Sequence, residues 1–163
     1  MSAKHMRYGN HADCEPLHYT ACGLDDVYLL SGYELHETPY GNGVSVTDVD
    51  GLHRAIGLHL ARDKKVLNGK EIRFLRKQMD LTQAELAELL GVTSQTVARW
   101  EKGEFETQAP SELMIRLLYL DCLKLLPETV RQFIKSLVRK DEVQDTRQLF
   151  EETAEGWQPR AAA

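Results

Sequence analysis

Apolar positions along the chain change period twice. From Val27 to Val49 they alternate with polar ones. Val27 and Leu29, and again Val44 and Val46, follow the two-residue period of a strand with one buried face. Turn residues punctuate this stretch. Ser31 and Gly32 separate "VYLL" from "YELHET", and Pro39, Gly41 and Gly43 precede "VSVTDV". Two or three short antiparallel strands are expected. The period then becomes helical in "DVDGLHRAIGLHLARDKKVL". There Leu52, Ile56, His59 and Leu60 recur at three- and four-residue spacing, and Asp50 is the expected N-cap.

From Lys70 the helical pattern is strong. Asn68 is placed to cap "KEIRFLRKQM", in which Ile72, Leu75 and Met79 share one face. Thr82 followed by Glu85 forms a capping box ahead of "QAELAELL", which Gly91 closes. Thr93 then caps "SQTVARWEKG", which stops at Gly103. Ser111 is expected to cap the mostly apolar "ELMIRLLYLDCLKLL", and Pro127 opens "ETVRQFIKSLV". The pattern predicts a flexible N-terminus over 1–18, a small α+β accessory segment over 19–66, a helical domain over 67–138 and a charged, disordered tail over 139–163.

Composition changes this picture little: 163 residues with 42% hydrophobic and 28% charged describe a globular chain. No apolar run approaches the roughly 18 residues that span a bilayer. The three cysteines, Cys14, Cys22 and Cys122, form no CxxC pair, which fits a reducing cytoplasm. Charge is more informative. The net value of −5 argues against a uniformly basic coat, but the sign is uneven. Residues 1–61 carry −5, residues 62–103 carry +3 from nine cations against six anions, and residues 104–163 carry −3. Phosphates feel local charge within a Debye length of about 8–10 Å, so an acidic total leaves DNA binding open.

The basic segment contains "LTQAELAELLGVTSQTVARWEKG". It holds no metal-ligand set, no nucleophile beside a base and no glycine-rich phosphate loop. Its two helices and tight turn meet the demands of a helix-turn-helix. Ala87 is small where the helices touch, Gly91 tolerates left-handed backbone, and Val92 and Val97 plug the space between them. Thr93, Ser94, Gln95, Thr96 and Arg99 are left facing outward on the second helix. Glutamine can pair bidentately with adenine and arginine with guanine O6 and N7. Gln83 and the amides after Thr82 form a helix N-terminus suited to phosphate. Thr93 serves equally well as an N-cap alone.

The segment resembles the helix-turn-helix of lambda-repressor-like, or XRE, regulators over roughly Gly69 to Leu126. Thr82, Gln83, Leu86, Ala87, Gly91, Val92, Val97, Trp100, Glu101 and Gly103 all fall in register. The resemblance implies a mainly α fold, with a C-terminal five-helix domain of this type preceded by the small α+β segment. It implies base reading by Ser94, Gln95 and Arg99, with Thr96 beside them. Phosphate contacts are implied from Gln83, Thr93 and Lys102, and a partly buried ion pair between Arg76 and Glu101. Arg73, Arg76 and Lys77 give the first helix a basic face, from which Arg73 is assigned to phosphate. A homodimer on a palindromic double-stranded operator follows from the same resemblance. The helices over 111–138, with Leu113, Leu117 and Leu120, serve either that dimer or the monomer core.

With its preceding segment, the chain is similar to antitoxins of the MqsA type, whose N-terminal part holds zinc and contacts a toxin. This chain lacks their CxxC pairs. A zinc site would have to use His11, Cys14, His18 and Cys22, and only three residues separate the two pairs. The expectation is no cofactor and no enzymatic activity. The acidic first 61 residues fit either a basic toxin partner or a solvated face. The alternative to a DNA-binding regulator is a protein-interaction module or zinc-binding antitoxin.

Overall fold

The computed structural model describes residues 16–39, 41–138, 149–153 and 156–160. The chain divides into two compact units, Met1–Leu126 and Pro127–Ala163. The first opens with β1 (Leu17–His18), β2 (Tyr28–Leu29), β3 (Tyr33–Thr38) and β4 (Gly41–Val46). It continues with α1 (Val49–Arg62), α2 (Gly69–Gln78), α3 (Gln83–Leu90), α4 (Ser94–Lys102) and α5 (Ala109–Cys122).

The strands form two separate antiparallel pairs. β3 and β4 make a hairpin in which Tyr33 faces Val46 and Leu35 faces Val44. β2 pairs with β1, Leu29 opposite Leu17. Ser31 and Gly32 (φ 79°) therefore lie between two sheets instead of turning one hairpin. The N-terminal stretch expected to be flexible over 1–18 already pairs at 17–18. Its earlier part lies outside the described residues. Tyr19, Leu29 and Tyr33 form a small core against Leu52 of α1.

Helix starts follow local hydrogen bonding. Asp48, not Asp50, caps α1: its Oδ1 accepts the Gly51 amide at 2.9 Å, while Asp50 sits inside the first turn. Asn68 and Glu71 form a reciprocal box on α2, with Asn68 Oδ1 accepting the Glu71 amide at 3.0 Å and Glu71 Oε2 accepting the Asn68 amide at 2.8 Å. Glu71 is only 1% exposed, and its other oxygen is met by Lys64 Nζ at 3.0 Å. Pairing of its ammonium with the Glu71 carboxylate, then with that of Asp26, holds Lys64 above the usual lysine pKa. α5 begins at Ala109 with Pro110 in its first turn. Ser111 is already helical, because proline fills a position whose N–H has no intrahelical acceptor.

One apolar core runs through α1 to α5. Ile72, Leu75, Leu86, Val97, Ile115 and Tyr119 are all less than 2% exposed, each worth roughly 1.5–3 kcal/mol of hydrophobic free energy. Leu24, Leu60, Ala61 and Leu67 belong to the same core, so the accessory segment and the helical domain fold as one body. Arg116 of α5 donates Nη1 to the α1 carbonyls of Leu60 (2.6 Å) and Ala61 (3.3 Å). Glu112 Oε2 accepts the Leu67 amide at 3.3 Å.

The second unit holds α6 (Glu128–Val138), β5 (Leu149–Thr153) and β6 (Gly156–Arg160). The Pro127 carbonyl accepts the amides of Val130 and Arg131 and so starts α6. Helices within 67–138 are thus divided between two units, with α1 joining the first. The tail, expected to lack order, contains an antiparallel hairpin with Thr153 opposite Gly156. Leu149, Phe150, Thr153 and Trp157 favour strand, a preference hidden among charged neighbours. No helix among the described residues is long and apolar enough to cross a membrane.

Candidate nucleic-acid interface

Two helix ends set the angle between α3 and α4. The Thr82 hydroxyl accepts the Glu85 amide at 3.2 Å, while Glu85 Oε2 accepts both the amide and the hydroxyl of Thr82 at 2.7 Å. These bonds hold the Glu85 carboxyl below its ordinary pKa. At the other end Gly91 turns left-handed (φ 66°). Its amide bonds Glu88 O at 3.2 Å, and the Val92 amide bonds Ala87 O at 3.0 Å, a Schellman closure. Ala87 is buried at this crossing, and Val97 is fully buried beneath it.

The second helix is divided by face. Val97 and Trp100 point into the core. Gln95, Arg99 and Lys102 recur at i, i+4 and i+7 and form one exposed stripe, with Ser94 exposed beside them. Thr93 caps α4 through its hydroxyl, which accepts the Thr96 amide at 3.2 Å. The two threonine hydroxyls also bond each other at 2.9 Å. Thr93 and Thr96 thus order the helix start, while Gln95 and Arg99 extend from it. Arg73 and Lys77 are exposed on α2.

Beneath the stripe lies a charged lock. Glu101 accepts two donors from Arg76, through Nε and through Nη2 at 3.0 Å, and a third from Gln83 Nε2 at 2.8 Å. Arg76 also donates Nη1 to Leu81 O at 2.7 Å. Side-chain exposure is 11% for Arg76 and 4% for Glu101. Such a pair is costly to break singly, so it fixes α2, the start of α3 and the end of α4 against one another. Gln83 is drawn into this lock by its amide. What remains at the α3 N-terminus for an anion is its first-turn backbone N–H groups.

One group is not singled out by helical spacing. Glu104, just past α4, sits with Oε2 3.7 Å from Arg99 Nε and Oε1 4.0 Å from Lys102 Nζ. The Arg99 guanidinium lies 5.6 Å from the centre of the Phe105 ring. The only sequence signal is an acidic residue directly after the closing glycine.

The His and Cys residues are not gathered around these groups. Among the described residues no three His, Cys, Asp or Glu side chains form a metal-sized group. His18 donates Nε2–H to Asp25 O at 2.7 Å and stacks on Tyr28. The Cys22 thiol donates to Tyr19 O at 3.5 Å. His11 and Cys14 lie outside the described residues.

Residues 72–118 match a family model described as helix-turn-helix. No curated protein and no solved structure matches the chain. The matched span runs from within α2 into α5 and includes the whole α3–turn–α4 geometry, so this part of the chain is similar to a helix-turn-helix in sequence and has its two helices and tight turn.

Proposed function

We propose that the protein is a sequence-specific DNA-binding transcriptional regulator that acts as a dimer on a palindromic operator and represses its own operon. The exposed stripe of Gln95, Arg99 and Lys102 on a helix locked from behind by Arg76 and Glu101 carries this reading. A major groove admits such a helix, and its base edges offer the acceptors and donors these side chains need. Ser94, Gln95, Thr96 and Arg99 read bases. Thr93, Lys102, Arg73 and the amides at the start of α3 hold phosphates. A two-fold site requires a two-fold protein, for which α5 and α6 supply the contacts.

Footprinting and mobility-shift titration on the DNA upstream of the protein's own coding sequence test this. Arg99→Ala is expected to abolish site preference, at a cost of roughly 1–3 kcal/mol for each base no longer read. If that variant bound the fragment as tightly and as selectively as wild type, the assignment of α4 as the reading helix would be wrong.

A second role, as an antitoxin of the MqsA-like kind acting in the cytoplasm, is favoured by the β3–β4 hairpin. Its facing pair Leu35 and Val44 is 37% and 48% exposed, and it carries Glu34 and Glu37 in a segment of charge −5. Exposed apolar side chains in an acidic segment suit a basic partner. A neighbouring gene whose product is lethal alone and harmless with this protein would support that role. Normal growth with the neighbour expressed alone would sink it.

A further inference from the structure

We propose that Glu104 is a specificity-determining residue, holding Arg99 with one carboxylate oxygen and Lys102 with the other until a matched base pair takes Arg99 away. This rests on the DNA-binding reading above.

The position of Glu104 is built into the end of α4. Gly103 turns left-handed (φ 74°), its amide bonds Trp100 O at 2.9 Å, and the Glu104 amide bonds Arg99 O at 3.0 Å. This second Schellman closure anchors Glu104 to the backbone of the very residue its side chain faces. From there one carboxylate spans both cations, at 3.7 Å from Arg99 and 4.0 Å from Lys102. Phe105, 59% exposed, follows directly and offers its ring to the Arg99 guanidinium at 5.6 Å. Arg99 thus has a resting place made from the two residues after the helix stop.

The pairs are solvated, with side chains 47–70% exposed, so the resting place is easily vacated. What replaces it decides binding. A phosphate offers Arg99 one anion in exchange for another and brings a second negative charge beside Glu104. A guanine edge offers two acceptors in the plane of the guanidinium and leaves Glu104 to Lys102. Leaving Glu104 is therefore favourable at a matched base and unfavourable elsewhere. The carboxylate weakens binding to arbitrary sequence more than binding to the true site.

Fluorescence anisotropy across a potassium chloride series tests this with wild type, Glu104→Gln and Glu106→Gln. The probes are a mixed-sequence duplex and the duplex from upstream of the coding sequence, with thermal melting to show that the fold is kept. Glu104→Gln is expected to tighten the mixed-sequence duplex about three- to tenfold at low salt and steepen the log–log salt slope by up to about 0.9. It should also narrow the ratio between the two probes. Glu106→Gln removes the same charge from the next residue but one and should move both quantities less. Indistinguishable Glu104→Gln and Glu106→Gln variants, or an unchanged ratio, would overturn the role of Glu104 while leaving DNA binding intact. Wild type that binds neither duplex would overturn the DNA-binding reading itself, and this inference with it.

Discussion

Gly69 opens α2 with its α-carbon against the end of α4. A Cβ there would overlap the carbonyl oxygen of Trp100 and lie 2.9 Å from that of Glu101. Both are backbone atoms, so neither can rotate aside. In an open helix alanine stabilises relative to glycine by about 0.5–1 kcal/mol. Here the sign reverses, and Gly69→Ala is expected to lower stability by roughly 1–3 kcal/mol, read from urea unfolding. Unchanged stability would mean that the approach of α2 to α4 is looser than described. Nothing in the sequence marks Gly69 in this way, because its neighbours lie a whole motif downstream. Thr82, Glu85, Gly91, Thr93 and Gly103 are legible for the opposite reason, since each bonds within four residues of itself. Asp48 and Asp50 show the limit of that local reading. Both are suitable caps, and the course of the chain out of β4 chooses between them.

At the scale of elements, the start of α3 is linked to pH. The Glu85 carboxylate is stabilised by the amide and hydroxyl of Thr82, which lower its pKa in the folded state. A lowered carboxyl pKa contributes stability that is complete above the unfolded value of about 4.3 and is lost as pH falls through the lower, folded value. The stability difference between wild type and Glu85→Gln should therefore shrink as the solution is acidified through that window. Urea midpoints measured from about pH 7 down to about pH 2 would show it, and a constant difference would disprove the linkage. The helices α2 to α4 are readable because caps, apolar stripe and stop signals agree within each one. The strands are less so, since a strand is completed by a partner elsewhere. "VYLL" pairs back to Leu17 and His18 across a loop, and "LFEET" pairs forward to "GWQPR", where charge alone suggests disorder.

For the whole molecule, the core formed by the described residues of α1 to α5 lies within the first unit, Met1–Leu126. A chain ending at Leu126 is expected to unfold in one cooperative transition, and to sediment as a monomer if α6 completes the dimer; a truncated chain that still sediments as a dimer would confine the two-fold contacts to the first unit. The candidate interface follows the same division of legibility. Its scaffold and its outward residues are visible from helical spacing, whereas Glu104 and the capture of Gln83 by Glu101 depend on how helix ends meet in space. One joint has a meaning beyond stability. The connector from α1 to α2 is fastened at both ends to α5, through Arg116 on Leu60 and Ala61 and Glu112 on Leu67. A recombination breakpoint between residues 66 and 67, where the sequence pattern changes, would sever partners that hold each other's helix ends. Any transplant of the α3–α4 segment must therefore carry α1 with it, and with α1 the Leu24 that completes the same core.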